Sequence, residues 1–273
     1  MTDTPTNHPS PPLGLKAFSL AGRVGIITGL ANDNSIAFGC ARALHALGAT
    51  FIVSYASEKS EPFVMPLAEA MGRPEYCLCD VEDEASLAGL FDRARRRWGR
   101  LDFVIHSIAF APLEDLHGRV TDASAAGFGL AMDVSCHSFI RMARHAEPLM
   151  DRGGALLAMT YHGADQVVGE YNLMGPVKAA LQSTTRYLAS ELGPSGIRVN
   201  TISPGPIRTR AASGLKDFDT LAADATARAP LRRLVTIEEV GNTAAWLIGD
   251  AGAAVTGGIH YVDGGHHNEF GGG

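Results

Sequence analysis

The sequence predicts an α/β fold: a single doubly wound domain built on a mostly parallel sheet of about seven strands. Short apolar runs alternate with helix-length amphipathic segments from Leu20 to Val262. Strands separated by crossover helices pair in parallel and are covered on both faces. Neither an internal repeat nor a linker interrupts the pattern, so one core accounts for the chain.

Val24–Thr28 reads as the first strand and Ser35–Leu47 as the helix that follows it. Thr50–Tyr55 is the second strand, Glu61–Met71 a helix and Glu75–Cys79 the third strand. Helix Ala85–Trp98 leads to strand Phe103–His106, and a long helical region spans Ala123 to Met150. Strand Ala155–Thr160 precedes a helix from near Leu173 to Leu192, then strand Arg198–Ile202, helix Glu238–Ile248 and a last strand Ile259–Val262. The opening MTDTPTNHPSPPLG, rich in Pro, Thr, Ser and Asn, sets residues 1–18 apart as a disordered tail. Residues 19–267 form the domain, and 268–273 a flexible end.

Composition narrows the function. With 46% hydrophobic and 19% charged residues the chain is of the soluble globular class. A net charge of -6 argues against nucleic acid or an anionic membrane as partner. The run Arg95-Arg96-Arg97 ends a predicted helix, where cations suit the dipole. Cys40, Cys77, Cys79 and Cys136 lack zinc-ligand spacing and read as free thiols in a reducing cytosol. His162, His266 and His267 show no ligand spacing with nearby carboxylates, so no metal is assigned. No apolar stretch reaches membrane-spanning length, and the first residues lack the regions of a signal peptide. A cytoplasmic protein is the expectation.

The chemistry concentrates between Tyr161 and Lys178. Tyr171 and Lys178 are seven positions apart, so a helix carrying both would aim them to one side, about 10 Å apart along its axis. A phenol ionises near pH 10, and a nearby ammonium makes it a better proton or hydrogen-bond donor. Hydride transfer needs such a donor where negative charge builds on a substrate oxygen. The plain alternative is a boundary aromatic and a solvated helix lysine. Pro176 has no N–H and fits only a first helical turn, so the helix begins no earlier than about Asn172, with Tyr171 just before it.

Other turns at strand ends carry lesser signals. In the first β–α turn, TGLANDNSIAFG, Gly29 allows close approach of a pyrophosphate, and Ser35 can cap the helix and offer its hydroxyl. The usual G-x-G-x-x-G spacing is absent, so a turn without a ligand is equally compatible. After the second strand, position 56 is Ala, neither the carboxylate that holds a ribose nor the arginine that holds a 2′-phosphate. With no basic pair directly after the strand, the balance favours NADH and leaves NADPH open. Asp80 could accept from an adenine amino group or cap the next helix. His106 reads as a core or supporting histidine. Residues Ala212 to Pro230 read either as a helical flap over a pocket or as a surface helix pair.

Taken together, TGLANDNSIAFG, CDV, HSIAFAP, YNLMGPVKAAL, RVNTISPGPIRTRAASGLKDF and HYVDGG resemble the bacterial enoyl-acyl-carrier-protein reductases. These belong to the short-chain dehydrogenase/reductase superfamily, with a Rossmann-like fold. The likeness runs from about Leu20 to Gly265. Three departures from the ordinary superfamily pattern point to this branch. Gly29-x5-Ser35-x-Ala37 replaces closely spaced glycines, and His-Ser-Ile-Ala replaces Asn-Asn-Ala-Gly after the fourth strand. Ala158 stands where the usual catalytic serine would be, with a second tyrosine, Tyr161, ten positions before Tyr171.

The resemblance implies roles. Tyr161, Tyr171 and Lys178 would be catalytic, with Lys178 also on the ribose hydroxyls. Gly29, Ser35 and Ile36 would cradle the pyrophosphate, while Ala56, Asp80 and Val81 would lie on the adenosine side. Ile108 would neighbour the nicotinamide ribose. Ile207, Arg208, Thr209, Arg210 and Ala211 would line the nicotinamide amide and phosphate, and Ala111 would touch substrate. The implied reaction is NAD(P)H-dependent reduction of the trans-2 double bond of an enoyl-acyl carrier protein in fatty acid biosynthesis, by a homotetramer. A short-chain alcohol or ketone dehydrogenase, which Ala158 disfavours, and a non-catalytic nucleotide-binding scaffold are the alternatives.

Overall fold

The structure is a computed structural model and describes residues 12–269. Seven strands form one parallel sheet: β1 (Val24–Thr28), β2 (Thr50–Tyr55), β3 (Glu75–Leu78), β4 (Phe103–His106), β5 (Gly154–Met159), β6 (Ile197–Pro204) and β7 (Ile259–Val262). Their spatial order is β3-β2-β1-β4-β5-β6-β7. The chain therefore winds outward in one direction from β1 and in the other from β4, and a crevice opens between those two strands at their carboxyl ends. Thr28 pairs with His106, and His106 with Ala158, so three strand ends line up there.

Nine α-helices flank the sheet among the described residues: α1 (Ile36–Ala46), α2 (Glu61–Val64), α3 (Glu84–Trp98), α4 (Leu113–Leu116), α5 (Ala125–Met132), α6 (Ser138–Ala146), α7 (Met174–Leu192), α8 (Phe218–Arg228) and α9 (Ile237–Ile248). Successive strand residues point to opposite faces. Ile26, Val104 and Leu156 accordingly join Leu87 and Leu90 of α3, Phe139 of α6 and Leu181 of α7 in one core. Ile27, Ile105 and Leu157 join Phe38 and Leu44 of α1 and Val240 and Leu247 of α9 in the other. Helices α1 and α9 cross through glycine: a Cβ on Gly39 would lie 2.2 Å from the Ile237 carbonyl oxygen, and one on Gly241 would lie 2.4 Å from that of Gly39.

Two helical expectations are corrected. Residues 61–71 are not one helix: Pro62 is tolerated in the first turn of α2, but Pro66 lacks the N–H that would bond to the Pro62 carbonyl, and α2 is followed by the 3-10 turns Met65–Leu67 and Glu69–Met71. The region 123–150 is likewise broken, by a π-helical turn over Asp133–His137 between α5 and α6. That turn aims Ser135 at the loop after β4, where its hydroxyl accepts from the Phe110 N–H and donates to the Phe110 carbonyl. Of the stretch 1–18 read as a tail, residues 1–11 lie outside the described residues, and Gly14–Phe18 form a 3-10 helix with Ala17 buried. Within 268–273, residues 270–273 also lie outside them.

Candidate active site

Because all seven strands run the same way, every predicted site residue falls on a loop or helix start at one edge of the sheet. Gly29 follows β1 in a left-handed conformation (φ 87°), and a Cβ there would lie 2.0 Å from the Ser107 carbonyl oxygen. Only glycine lets the turn press against the end of β4 in this way. Ile108 packs beside it.

Ser35 corrects an expectation. Its hydroxyl does not cap α1; it turns back, accepting from the N–H groups of Ala31 (3.0 Å) and Asn32 (2.9 Å) and donating to Asn32 Oδ1 (3.2 Å). The serine thus stiffens the turn. The first N–H groups of α1, those of Ile36 and Ala37, precede the intrahelical ladder and leave the positive end of the helix bare.

The outer positions are more open. Ala56 is exposed just past β2. Asp80 is exposed, and its carboxylate accepts from the Glu82 N–H; the cap of α3 is Asp83 instead. Val81 is buried beside it. In the loop after β6, Ile207 packs on the core, Thr209 accepts from the Ala212 N–H, and Arg210 and Ala211 are exposed. Arg208 is held by α8, paired with Asp219 and 4.9 Å over the Phe218 ring.

The centre is formed by β5, the loop after it and α7. Lys178 is buried, and its Nζ donates to the Met159 carbonyl at 2.6 Å. Burial pulls its pKa from 10.5 down to about 8. Tyr171 precedes α7 by three residues, as Pro176 in the first helical turn requires. Its neighbours Glu170 (φ 60°) and Asn172 (φ 41°) are both left-handed, and the Asn172 side-chain amide donates to the Leu116 carbonyl of α4 at 2.9 Å. Two strained residues anchored by a side chain fix the direction of the ring between them.

The rings of Tyr161 and Tyr171 meet edge to face, centroids 4.8 Å apart. Tyr171 also borders the small apolar cluster of Ala111, Leu116, Ala131, Leu173 and Met174. Burial, and then the neighbouring Tyr161, push the Tyr171 pKa well above its ordinary value; burial does the same to Tyr161. The expected depression of the Tyr171 pKa by Lys178 is therefore corrected: desolvation dominates, and both phenols stay protonated donors.

Ala158 is fully buried in the core, so its methyl packs where a hydroxyl would need a partner. His106 is buried too. Ser138 donates to the Val134 carbonyl, so His106 Nε2–H donates to Ser138 Oγ (2.7 Å), leaving Nδ1 as a buried acceptor without a partner among the described residues. Burial and then the Lys178 charge lower the His106 pKa to about 3, which keeps the ring neutral. Sequence reasoning missed Gly163, Asn172 and the Met159 carbonyl as positioning groups.

The family profile described as Enoyl-(Acyl carrier protein) reductase matches residues 29–267. Enoyl-[acyl-carrier-protein] reductase [NADH] 1 of Rhizobium meliloti is 45% identical over 246 residues, covering 90% of each chain. The crystal structure of the reductase of Anaplasma phagocytophilum in complex with NAD is 44% identical with a TM-score of 0.87, over 91% of this chain and 95% of that one. The Bacillus cereus enoyl-acyl carrier protein reductase, solved with NADP+ and indole naphthyridinone, is 43% identical with a TM-score of 0.89, over 92% and 98% of the two chains. Matched over nine-tenths of its length to such relatives, with the Gly29 turn, the tyrosine pair and the buried lysine at one edge of its parallel sheet, this chain is a member of the enoyl-(acyl carrier protein) reductase family.

Proposed function

We infer that this chain reduces the trans-2 double bond of an enoyl-acyl carrier protein to the saturated acyl thioester with NADH, in fatty acid biosynthesis. The edge-to-face pair of Tyr161 and Tyr171, together with a fully buried alanine, Ala158, in the core at the position where a carbonyl reductase keeps a hydroxyl, is the observation that carries the reading.

The residues present fit a dinucleotide. The glycine at Gly29, whose Cβ position is taken by the β4 backbone, brings the turn close, and the bare N-terminus of α1 favours a pyrophosphate. Ser35 acts by shaping that turn, and Ile36 by its N–H. Ala56, Asp80 and Val81 border the adenosine side, and Ile108 and Ile207 to Ala211 the nicotinamide side. Lys178 holds the ribose hydroxyls with the ammonium protons left over from Met159. Bound there, NADH supplies the hydride that reaches C3 of the substrate.

Charge then accumulates on the thioester oxygen. Tyr171, held protonated and rigid, donates a hydrogen bond to it, and stabilisation of this kind is worth about 2–4 kcal/mol. Tyr161 orients the thioester, and Ala111 with its apolar neighbours receives the acyl chain. A cytoplasmic homotetramer is the assembly proposed; no helix among the described residues is long and apolar enough to cross a membrane.

The test is oxidation of NADH and NADPH, separately, by the purified protein with a short trans-2-enoyl thioester, an enoyl-acyl carrier protein and a panel of ketones. Enoyl-dependent NADH oxidation is the expected result. Activity on ketones alone would overturn the assignment. Light scattering of the same sample checks the tetramer.

A further inference from the structure

Four buried polar atoms around Tyr161 have no partner among the described residues: the Tyr161 hydroxyl, His162 Nδ1, His266 Nε2 and Arg228 Nε. They belong to one neighbourhood. The His162 ring lies edge-on to Tyr161 (5.5 Å between centroids) and edge-on to His266 (5.1 Å). His266 Nε2 is 4.0 Å from Asp224 Oδ2, and the same carboxylate oxygen pairs with Arg228 Nη1 at 3.3 Å. Both histidines are only 5% exposed, whereas the Asp224 side chain is 54% exposed.

Orphaned buried polar groups are costly, and a natural structure supplies them with a partner. Here the count is complementary. The phenol and the Arg228 Nε–H are donors; His162 Nδ1 and His266 Nε2 are acceptors in neutral rings. Burial lowers the pKa of both histidines, which favours that neutral state. Two donors and two acceptors are the full complement of one water molecule.

We propose that Tyr161, His162, His266 and Arg228 enclose a buried water that connects the Tyr161 hydroxyl to solvent at Asp224, and that this route supplies the proton taken up at C2 in each turnover. The balance is explicit. The Tyr161 O–H breaks as the C2–H bond forms, and the phenolate takes a proton from the water. His266 Nε2, unprotonated at rest, takes a proton from solvent beside Asp224 and passes it to the water, which leaves the ring neutral again. One proton enters and Tyr161 returns to its neutral form. The other groups facing His266 are Asp263 and His267 on its own turn, and these are tied to each other: His267 Nδ1 lies 2.9 Å from Asp263 Oδ2. Asp165, near His162, is occupied by Gln182 and Tyr261. That leaves Asp224, carried on α8, as the outlet.

The test uses His266→Phe and, to guard against misfolding, the near-isosteric His266→Gln, each compared with the parent enzyme. NADH affinity should be unchanged in both, which also reports an intact fold. Expected is a fall in kcat of roughly ten- to a hundredfold, at or below the low end for a positioned acid. The solvent deuterium isotope effect on kcat should grow, and added imidazole should restore turnover in His266→Phe. A crystal structure of the parent protein should show an ordered water within hydrogen-bond distance of the Tyr161 hydroxyl and His266 Nε2. Unchanged kcat, a fall without isotope sensitivity or imidazole rescue, or a site closed without water would each overturn the proposal. Since the parent's activity is measured alongside, failure of the proton route is distinct from failure of the reductase assignment.

Discussion

Gly163 faces both Tyr171 and Tyr161: a Cβ there would lie 2.5 Å from Tyr171 Cδ1 and 3.2 Å from Tyr161 Cδ1. The two rings therefore share one wall, and that wall has no side chain. Gly163→Ala must push the Tyr171 ring aside. A misplacement of about 1 Å costs on the order of a hundredfold in rate, so kcat should fall by about that factor while NADH affinity, measured by fluorescence titration, stays within about twofold. Retained turnover would show that the ring can move without consequence.

Removing the Tyr171 hydroxyl isolates its contribution. Tyr171→Phe keeps the ring against Tyr161 and should reduce kcat by about 2–4 kcal/mol of barrier, or roughly thirty- to a thousandfold. The melting temperature should hardly change, because the hydroxyl bonds to no protein group among the described residues. In the parent enzyme, burial raises both phenol pKa values, so tyrosine ionisation should cause no decline in turnover up to about pH 10.

Lys178 sets stability against function. Its folded pKa of about 8 against 10.5 unfolded corresponds to roughly 3 kcal/mol spent on keeping the charge buried at neutral pH. Lys178→Met should raise the melting temperature of the cofactor-free protein at pH 7 and weaken NADH binding severely. The sign with pH follows: between pH 8 and 10.5 the unfolded chain binds more protons at this residue, so its destabilising effect fades as pH rises through that window. The melting-temperature gap between variant and parent should narrow from pH 7 to pH 10. A gap that widens would contradict the burial cost.

Ala56 offers a handle on cofactor choice. It is exposed past β2, where an arginine would meet a 2′-phosphate. Ala56→Arg should improve kcat/KM for NADPH relative to NADH by about fivefold, the size of a charge-assisted contact near 1 kcal/mol at an open site. Steady-state kinetics with both cofactors decides it.

The sheet was legible because its strands are short apolar runs between amphipathic segments: β1, β2, β4 and β7 begin and end where the runs do. Pro176 placed the start of α7 for the same local reason. The failures are tertiary. The π turn at Asp133–His137 has no local signature, and its reason is the hydrogen bonding of Ser135 to a loop distant in sequence. Ser35 has the sequence of a cap, yet the tight turn beneath Gly29 claims its hydroxyl. The ammonium of Lys178 was expected to acidify Tyr171, and that argument left out the desolvation both groups undergo. His162 and His266 have no ligand spacing in the sequence, and their meeting with each other and with Asp224 is a product of the fold.

The glycine crossing of α1 and α9 has a practical bearing on mutational surveys. Helix α1 carries its bare N-terminus to the place proposed above for the pyrophosphate, and its seat is set by Gly39 against Ile237 and Gly241 against Gly39. A methyl added at either glycine forces the two helices apart and tilts that N-terminus. Selections for weakened NADH binding will therefore return Gly241, a residue outside the cofactor crevice, and such hits would be mistaken for a remote control site. They are errors of alignment: the contact that seats the first turn of α1 has been shimmed.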